Sequence, residues 1–370
     1  MKVPLSGPDI TEREKQLVLE VLDSGQLSLG SKLEAFEAKM AAYVGRRYAI
    51  ACNSGTSALH MLIRAMGIGE EDEVITTPFS FVSSSNCILY ERARPVFVDI
   101  DEQSFNINPE LIAKHITERT KAILPVHVFG QPANMEAIMD VAQTYGLRVI
   151  EDACEAIGAF WNGKMAGSFG DAGVFAFYPN KQMTTGEGGM IVTDDPELAA
   201  LCRSLRNQGR GEDGLWLSHV RLGWNYRLDE LSAALGIAQL ERIEQLLGRR
   251  AEVAARYLEK LADVPGVILP VIDPRAEMSW FVFVIRLQNS LRRDFLMERL
   301  LAQGIGCRPY FPPIHLQPFY QQQFGYQQGD FQVTESVSAS TLAIPFFSGL
   351  TEAQIDYVCR AIHQELAVCL

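Results

Sequence analysis

Between Tyr48 and Thr193 the chain alternates short apolar, β-branched runs with amphipathic helical patterns, and nothing else in the sequence constrains the fold as strongly. Strands are expected near 49–52, 73–77, 95–99, 122–128, 148–152, 173–177 and 190–193, with helices near 57–66, 81–90, 109–117 and 134–145. Strands separated by helices pair in parallel and are covered on both faces, so the expected class is α/β with a mostly parallel sheet in a large domain. Before this region, the capping box Thr11-Glu-Arg-Glu14 and the apolar positions Leu17, Val18, Val21 and Leu22 describe a helix ending near Ser24-Gly25, and a second helix runs from Lys32 to Tyr43. After it, a long helical pattern from Asp229 to about Leu261 reads as a bridge. A strand from Trp280 to Leu287, a helix from Ser290 to Gln303 and a last helix opened by Thr351-Glu-Ala-Gln354 then form a small α+β domain. The chain is accordingly divided into 1–245 and 246–370, and 370 residues that are 48% hydrophobic suffice for two cores.

The chemistry is expected at strand ends. The run Gly173 to Phe177 has the length of a buried strand and stops at Tyr178-Pro179, so Lys181 lies just beyond it, ahead of Gly186, Gly188, Gly189 and the strand Met190 to Thr193. An ammonium between two core elements must pair, lose its proton or react; a lysine in an ordinary surface turn is the competing reading. Leu147-Arg-Val-Ile-Glu-Asp152 closes on two carboxylates, and open parallel sheets bind ligands beyond the carboxyl ends of their strands, so Asp152 and Lys181 can meet. Tyr48 to Cys52 runs through Asn53 and Ser54 into Gly55, Thr56 and Ser57 at the start of a helix, where unpaired N–H groups suit a phosphate. A phosphate cradle, an aspartate and a lysine are what pyridoxal 5'-phosphate needs as anchor, partner of the ring nitrogen and amine for the Schiff base.

Five runs carry a family resemblance: Asn53-Ser-Gly-Thr-Ser-Ala-Leu59, Val126-His-Val-Phe-Gly-Gln-Pro-Ala-Asn134, Glu151-Asp-Ala-Cys-Glu-Ala-Ile-Gly158, Asn180-Lys181 with Thr185-Gly-Glu-Gly-Gly189, and Gly223-Trp-Asn-Tyr-Arg-Leu-Asp229. In that order they resemble the DegT/DnrJ/EryC1/StrS aminotransferases, which use pyridoxal phosphate to aminate keto sugars. The resemblance implies the fold type I (aspartate-aminotransferase-like) architecture, with Lys181 and Asp152 catalytic. It implies that Phe81 stacks on the cofactor, that Glu155 lies near its phenolic oxygen, and that Asn225 reaches the cofactor phosphate of a neighbouring subunit in a homodimer. His127, Arg227, Tyr310 and His315 are candidates for the substrate pocket, although each also reads as plain packing. Arg203, Arg206 and Arg210 form the densest basic cluster in that half of the chain and are candidates for a substrate pyrophosphate; a solvated face is the ordinary alternative. The expected reaction moves an amino group from glutamate to a nucleotide-linked keto sugar, leaning to a 4-keto-6-deoxyhexose because Asp152-Ala-Cys-Glu-Ala-Ile-Gly158 resembles perosamine-synthase-like members. Ala176 departs from the family's commonest pattern, a serine that contacts the phosphate, and Glu155 stands where many members have glutamine or histidine.

Composition bounds the rest. A net charge of −12 argues against nucleic-acid or acidic-membrane binding. Seven scattered cysteines read as free thiols in a reducing cytosol, no signal core or apolar span is visible, and six histidines form no metal-ligand pattern. A cytoplasmic protein without a metal is expected. Competing functions are a 3-keto sugar aminotransferase, a pyridoxal-dependent sugar dehydratase, against which Lys181 argues, a cofactor-binding regulator, and a nicotinamide oxidoreductase. The last conflicts with Gly186-Glu-Gly-Gly189 preceding a strand rather than opening a helix.

Overall fold

A computed structural model of the chain describes residues 1–211, 218–288 and 290–367. Its centre is a seven-stranded sheet made of β1 (Tyr48–Cys52), β2 (Glu73–Thr76), β3 (Arg94–Phe97), β4 (Thr120–Ile123), β5 (Arg148–Asp152), β6 (Ala172–Ala176) and β7 (Gly189–Thr193). The order across the sheet is β1-β7-β6-β5-β4-β2-β3. Pairs β2/β3, β2/β4, β4/β5 and β5/β6 are parallel, whereas β7 runs antiparallel to both β1 and β6. The carboxyl ends of β1, β2, β5 and β6 therefore share one edge, where β7 begins. This is the expected α/β class with a mostly parallel sheet.

Helices α1 (Glu12–Ser24), α2 (Ser31–Val44), α3 (Gly55–Ala65), α4 (Ser83–Tyr90), α5 (Met135–Tyr145), α6 (Pro196–Arg206), α7 (Glu230–Glu241) and α8 (Ile243–Leu261) surround or extend this sheet. Local chemistry explains their ends: Thr11 and Glu14 form the expected capping box, Gly25 closes α1 in the left-handed conformation, and Ser54 caps α3. Three expectations need correction. The helix read from Asp229 to Leu261 is broken at Arg242 (φ −126°, ψ 23°), whose side chain bonds Asp9 and Glu14 instead of lying along a continuous surface. The strand read from Trp280 begins only at Phe283, because Trp280 has φ 51°, outside the extended region. Between 109 and 117 only the single turn Pro109–Ile112 is α-helical, followed by a 3-10 turn at Ala113–His115.

A second, three-stranded antiparallel sheet joins Val267–Ile268, Phe283–Leu287 and Thr341–Ile344. It packs with α8, Ser290–Ala302 and Glu352–Ala367 around Tyr257, Phe283, Ile285, Leu342, Ile344 and Val358, all buried. Val3 joins this core through backbone bonds to Gly304 and Gly306, so the first residues pack with the C-terminal sheet. Residue 245, the expected division point, falls inside α8. Six cysteines are free, and Cys369 lies outside the described residues. Among the described residues no helix is long and apolar enough to cross a membrane.

Candidate active site

The shared carboxyl edge of the sheet opens into a cavity of about 470 Å³, within the range of small-molecule and cofactor sites. Lys181, Asp152, Glu155, Gly55, Thr56, Phe81 and Tyr310 all line it. Lys181 follows a tight turn in which its N–H donates to the Tyr178 carbonyl at 2.9 Å, and this turn lifts the side chain off the end of β6 into the cavity. Its Nζ lies 3.5 Å from Glu155 Oε1 and 3.9 Å from the centre of the Phe281 ring, with the side chain 13% exposed. The ion pair of this lysine is thus with Glu155; Asp152 shares the cavity but is engaged elsewhere. The Asp152 carboxylate accepts from Ser84 Oγ at 2.7 Å and from the Cys154 N–H at 3.2 Å, and Ser84 is itself braced by Ser80. Glu155 accepts the Phe129 N–H at 2.9 Å. Burial raises the Glu155 carboxyl above the ordinary range, and nearby Asp152 pushes the same way, while Lys181 and the Phe129 amide oppose both.

Opposite these groups lies the N-terminus of α3. Ser54 Oγ caps the Ser57 N–H at 3.1 Å, and Ser57 Oγ donates to Asn53 at 2.7 Å, so the Ser57 side chain serves the turn and stays out of the cavity. Gly55 and Thr56 remain at the cavity wall, with first-turn N–H groups that by position have no helical partner. Thr56 Oγ1 shares a 2.7 Å hydrogen bond with Ser83 Oγ beside Ala176, which offers no hydroxyl of its own. The helix can approach this closely because β7 opens on glycine: a Cβ on Gly189 would lie 2.3 Å from the Ser54 carbonyl oxygen and 2.7 Å from the Gly55 nitrogen. Gly189→Ala is expected to destabilise the protein by about 1–3 kcal/mol, the usual range for overpacking. Thermal melting checks this, and an unchanged midpoint would show that the α3 start has room to move.

Several candidates lie away from the cavity. His127 is completely buried on the other side of β5, where its Nε2 is 3.1 Å from Glu151 and its Nδ1 accepts the Ala133 N–H. Glu151 also accepts from the N–H groups of Gly167, Phe169 and Gly170. Burial alone would raise this carboxyl, but the bonds to His127 and the amides outweigh it and hold it below the ordinary range. His127 is a core residue and not part of the pocket. His315 is equally buried, 3.0 Å from Glu335 and packed on Phe331, also outside the cavity. Arg206 is buried against Glu37 and the Ala51 carbonyl and does not line the cavity. Arg203 lies over the Tyr48 ring, Arg227 donates to Asn207, and Arg210 pairs through its backbone with His219; none of the three lines the cavity of its own chain. Asn225 is exposed and bridges Asn207, likewise outside that cavity.

Sequence reasoning missed Ser84, Phe281 and Arg250. The serine run Ser83-Ser-Ser85 behind Phe81, at the start of α4, was the available signal for Ser84.

The class of protein is shown by its relatives: the chain is an aminotransferase. The chain belongs to the DegT/DnrJ/EryC1/StrS aminotransferase family, which matches it over residues 8–363. It is 40% identical to a protein named GDP-perosamine synthase from Caulobacter vibrioides, covering 99% of this chain and 98% of that one. It is 39% identical to the spore coat polysaccharide biosynthesis protein SpsC of Bacillus subtilis, over 97% and 96% respectively. The crystal structure of S. venezuelae DesV superposes with a TM-score of 0.91 at 38% identity, over 96% of this chain and 94% of that one.

Proposed function

We propose that this enzyme moves an amino group from glutamate to a nucleotide-linked keto sugar, a 4-keto-6-deoxyhexose, with pyridoxal phosphate as cofactor and in the cytoplasm. The observation that carries the reading is Lys181, a half-buried amine facing a cavity closed by Asp152 on one side and the open start of α3 on the other. The residues fit the cofactor. Gly55 and Thr56 would hold its phosphate, Phe81, 62% exposed at the cavity wall, would cover its ring, and Asp152 would keep the ring nitrogen protonated. Ser84 and the Cys154 amide keep that carboxylate aimed by donating to it. When bound, the cofactor supplies an electron sink for bond changes at the amine carbon. Lys181 Nζ then takes a proton from one carbon and delivers it to the next, the work of a general base and acid. Glu155, 3.5 Å from that nitrogen, would balance the lysine's charge while it is an ammonium.

Similarity to a protein named GDP-perosamine synthase supports a nucleotide-linked sugar as acceptor. The resemblance around Glu155 supports amination at carbon 4, and a 3-keto sugar is the alternative. Mass spectrometry of products from a panel of keto sugar nucleotides with glutamate tests the reading. Conversion of a nucleotide-linked 4-keto sugar to its amino sugar is the expected result; amination of free keto sugars or 2-keto acids instead would overturn it. Tyr310 lines the cavity and would contact the sugar, while Arg203, Arg210 or Arg227 would meet the pyrophosphate from the partner subunit.

The protein acts as a homodimer in this reading, each Asn225 completing the phosphate site of the other subunit. Mixing inactive Lys181→Ala with an inactive Asn225→Asp variant should then restore about a quarter of parental activity, because half of the randomly formed dimers are hybrids with one intact site. A mixture that stays inactive after verified subunit exchange, or an active monomer in sedimentation, would remove Asn225 from the neighbouring site.

A further inference from the structure

Arg250 stands in the middle of α8 and is 2% exposed, yet among the described residues it has no carboxylate partner. Its guanidinium instead donates to three backbone carbonyls: Nη2 to Lys181 at 2.9 Å, and Nη1 to Phe281 at 3.0 Å and Trp280 at 3.3 Å. Its Nε is buried with no hydrogen-bond partner among the described residues. Burial without a counter-ion pulls the group down to about 10, a direct sign of how unfavourable the position is for a charge. An apolar side chain of similar volume would fill this place at lower cost, so packing alone does not account for an arginine.

The two segments it joins are the reactive turn and the link that crosses beneath it. Phe281 lies on that link, and its ring carries the Lys181 ammonium at 3.9 Å. Gln182 makes a parallel tie, donating to the Glu155 carbonyl at 2.6 Å and to Ser279 Oγ at 2.9 Å. The link is anchored in turn on the Gly130 and Phe129 carbonyls through the N–H groups of Ser279 and Phe281. One planar, rigid donor group thus fixes both ends of the Lys181–Phe281 contact from behind.

We propose that Arg250 is a positioning residue for the reactive amine: it clamps the carbonyls of Lys181 and Phe281 to one guanidinium, so that Lys181 Nζ stays registered on the Phe281 ring at the cavity wall. This rests on the reading of Lys181 as the amine that acts. A proton carried between two neighbouring carbons needs its carrier placed to within a fraction of an ångström, and small misplacements cost large factors in rate without weakening binding.

The test uses Arg250→Met, which keeps the volume and removes every donor, and Arg250→Lys, which keeps charge but lacks the fork. In the cofactor-free protein, hydrogen exchange read by mass spectrometry should quicken by about tenfold or more in the peptides containing residues 178–184 and 279–283, with the rest of the protein unchanged, as expected for one or more lost hydrogen bonds. In the loaded enzyme, single-turnover reaction with the amino donor should slow by about 10- to 100-fold while donor affinity changes less than about threefold. Arg250→Lys should recover part of both. Exchange that is unaltered in those two peptides, or quickened uniformly throughout, would overturn the proposal, as would failure of both variants to fold, since Arg250 would then serve the core. The exchange arm does not depend on the substrate, so its failure is distinct from failure of the proposed reaction.

Discussion

Lys181→Ala is expected to lower turnover by roughly four orders of magnitude or more, because the proposed mechanism uses this one amine both to engage the cofactor and to move the proton. The folded protein should persist and still hold the cofactor non-covalently, since the phosphate cradle at Gly55 and Thr56 and the Asp152 carboxylate are untouched. Its stability should acquire a recognisable pH dependence. The Glu155 carboxyl is already raised by burial above its ordinary value of 4.5, and Lys181 is the strongest influence opposing that rise. A carboxyl raised in the folded state contributes stability that is complete below its unfolded value and lost as pH climbs through the folded one. Deleting the lysine moves the folded value further up, so the variant should lose most stability relative to the parent at neutral pH and least near pH 4. Chemical denaturation at several pH values checks this; a constant difference would mean that Glu155 does not respond to Lys181.

Asp152→Asn is the second large effect. The amide is nearly isosteric, can accept from the Cys154 N–H and can meet the Ser84 hydroxyl, so folding and cofactor binding should survive. An amide cannot hold a proton on the ring nitrogen, however, and the electron sink weakens with it. Turnover should fall by several orders of magnitude with little change in cofactor affinity, measured by steady-state kinetics beside an absorbance titration. A near-parental rate would remove Asp152 from the mechanism. Ser84→Ala should give a milder version of the same defect, as it loosens the carboxylate without neutralising it.

Much of this site was legible because strand ends are written in local patterns. The apolar runs around Val149 and Val174 placed Asp152 and Lys181 at the edge of the sheet, and the Ser54-Gly55 start of α3 followed from small residues ahead of a helical pattern. The neighbours of those residues were less accessible. Glu151 and Asp152 point to opposite faces of β5, as successive strand residues must, so His127 joins Glu151 on the covered face while Asp152 keeps the cavity. Charge alone did not show that Arg206 turns inward to Glu37 while Arg203, three residues earlier, stays outside. The break at Arg242 arises from carboxylate and carbonyl partners more than 200 positions away, and nothing in the local helical period records it. Phe281 and Arg250 come from the C-terminal third of the chain and meet Lys181 only through the fold.

The most direct measurement of the central claim is borohydride reduction of the purified protein after loading with pyridoxal phosphate, followed by digestion and mass spectrometry. The cofactor should be fixed to the peptide containing Lys181, and the Lys181→Ala variant should release it on denaturation. Fixation to Lys121 or Lys164 instead, or to no lysine, would contradict the account at its root.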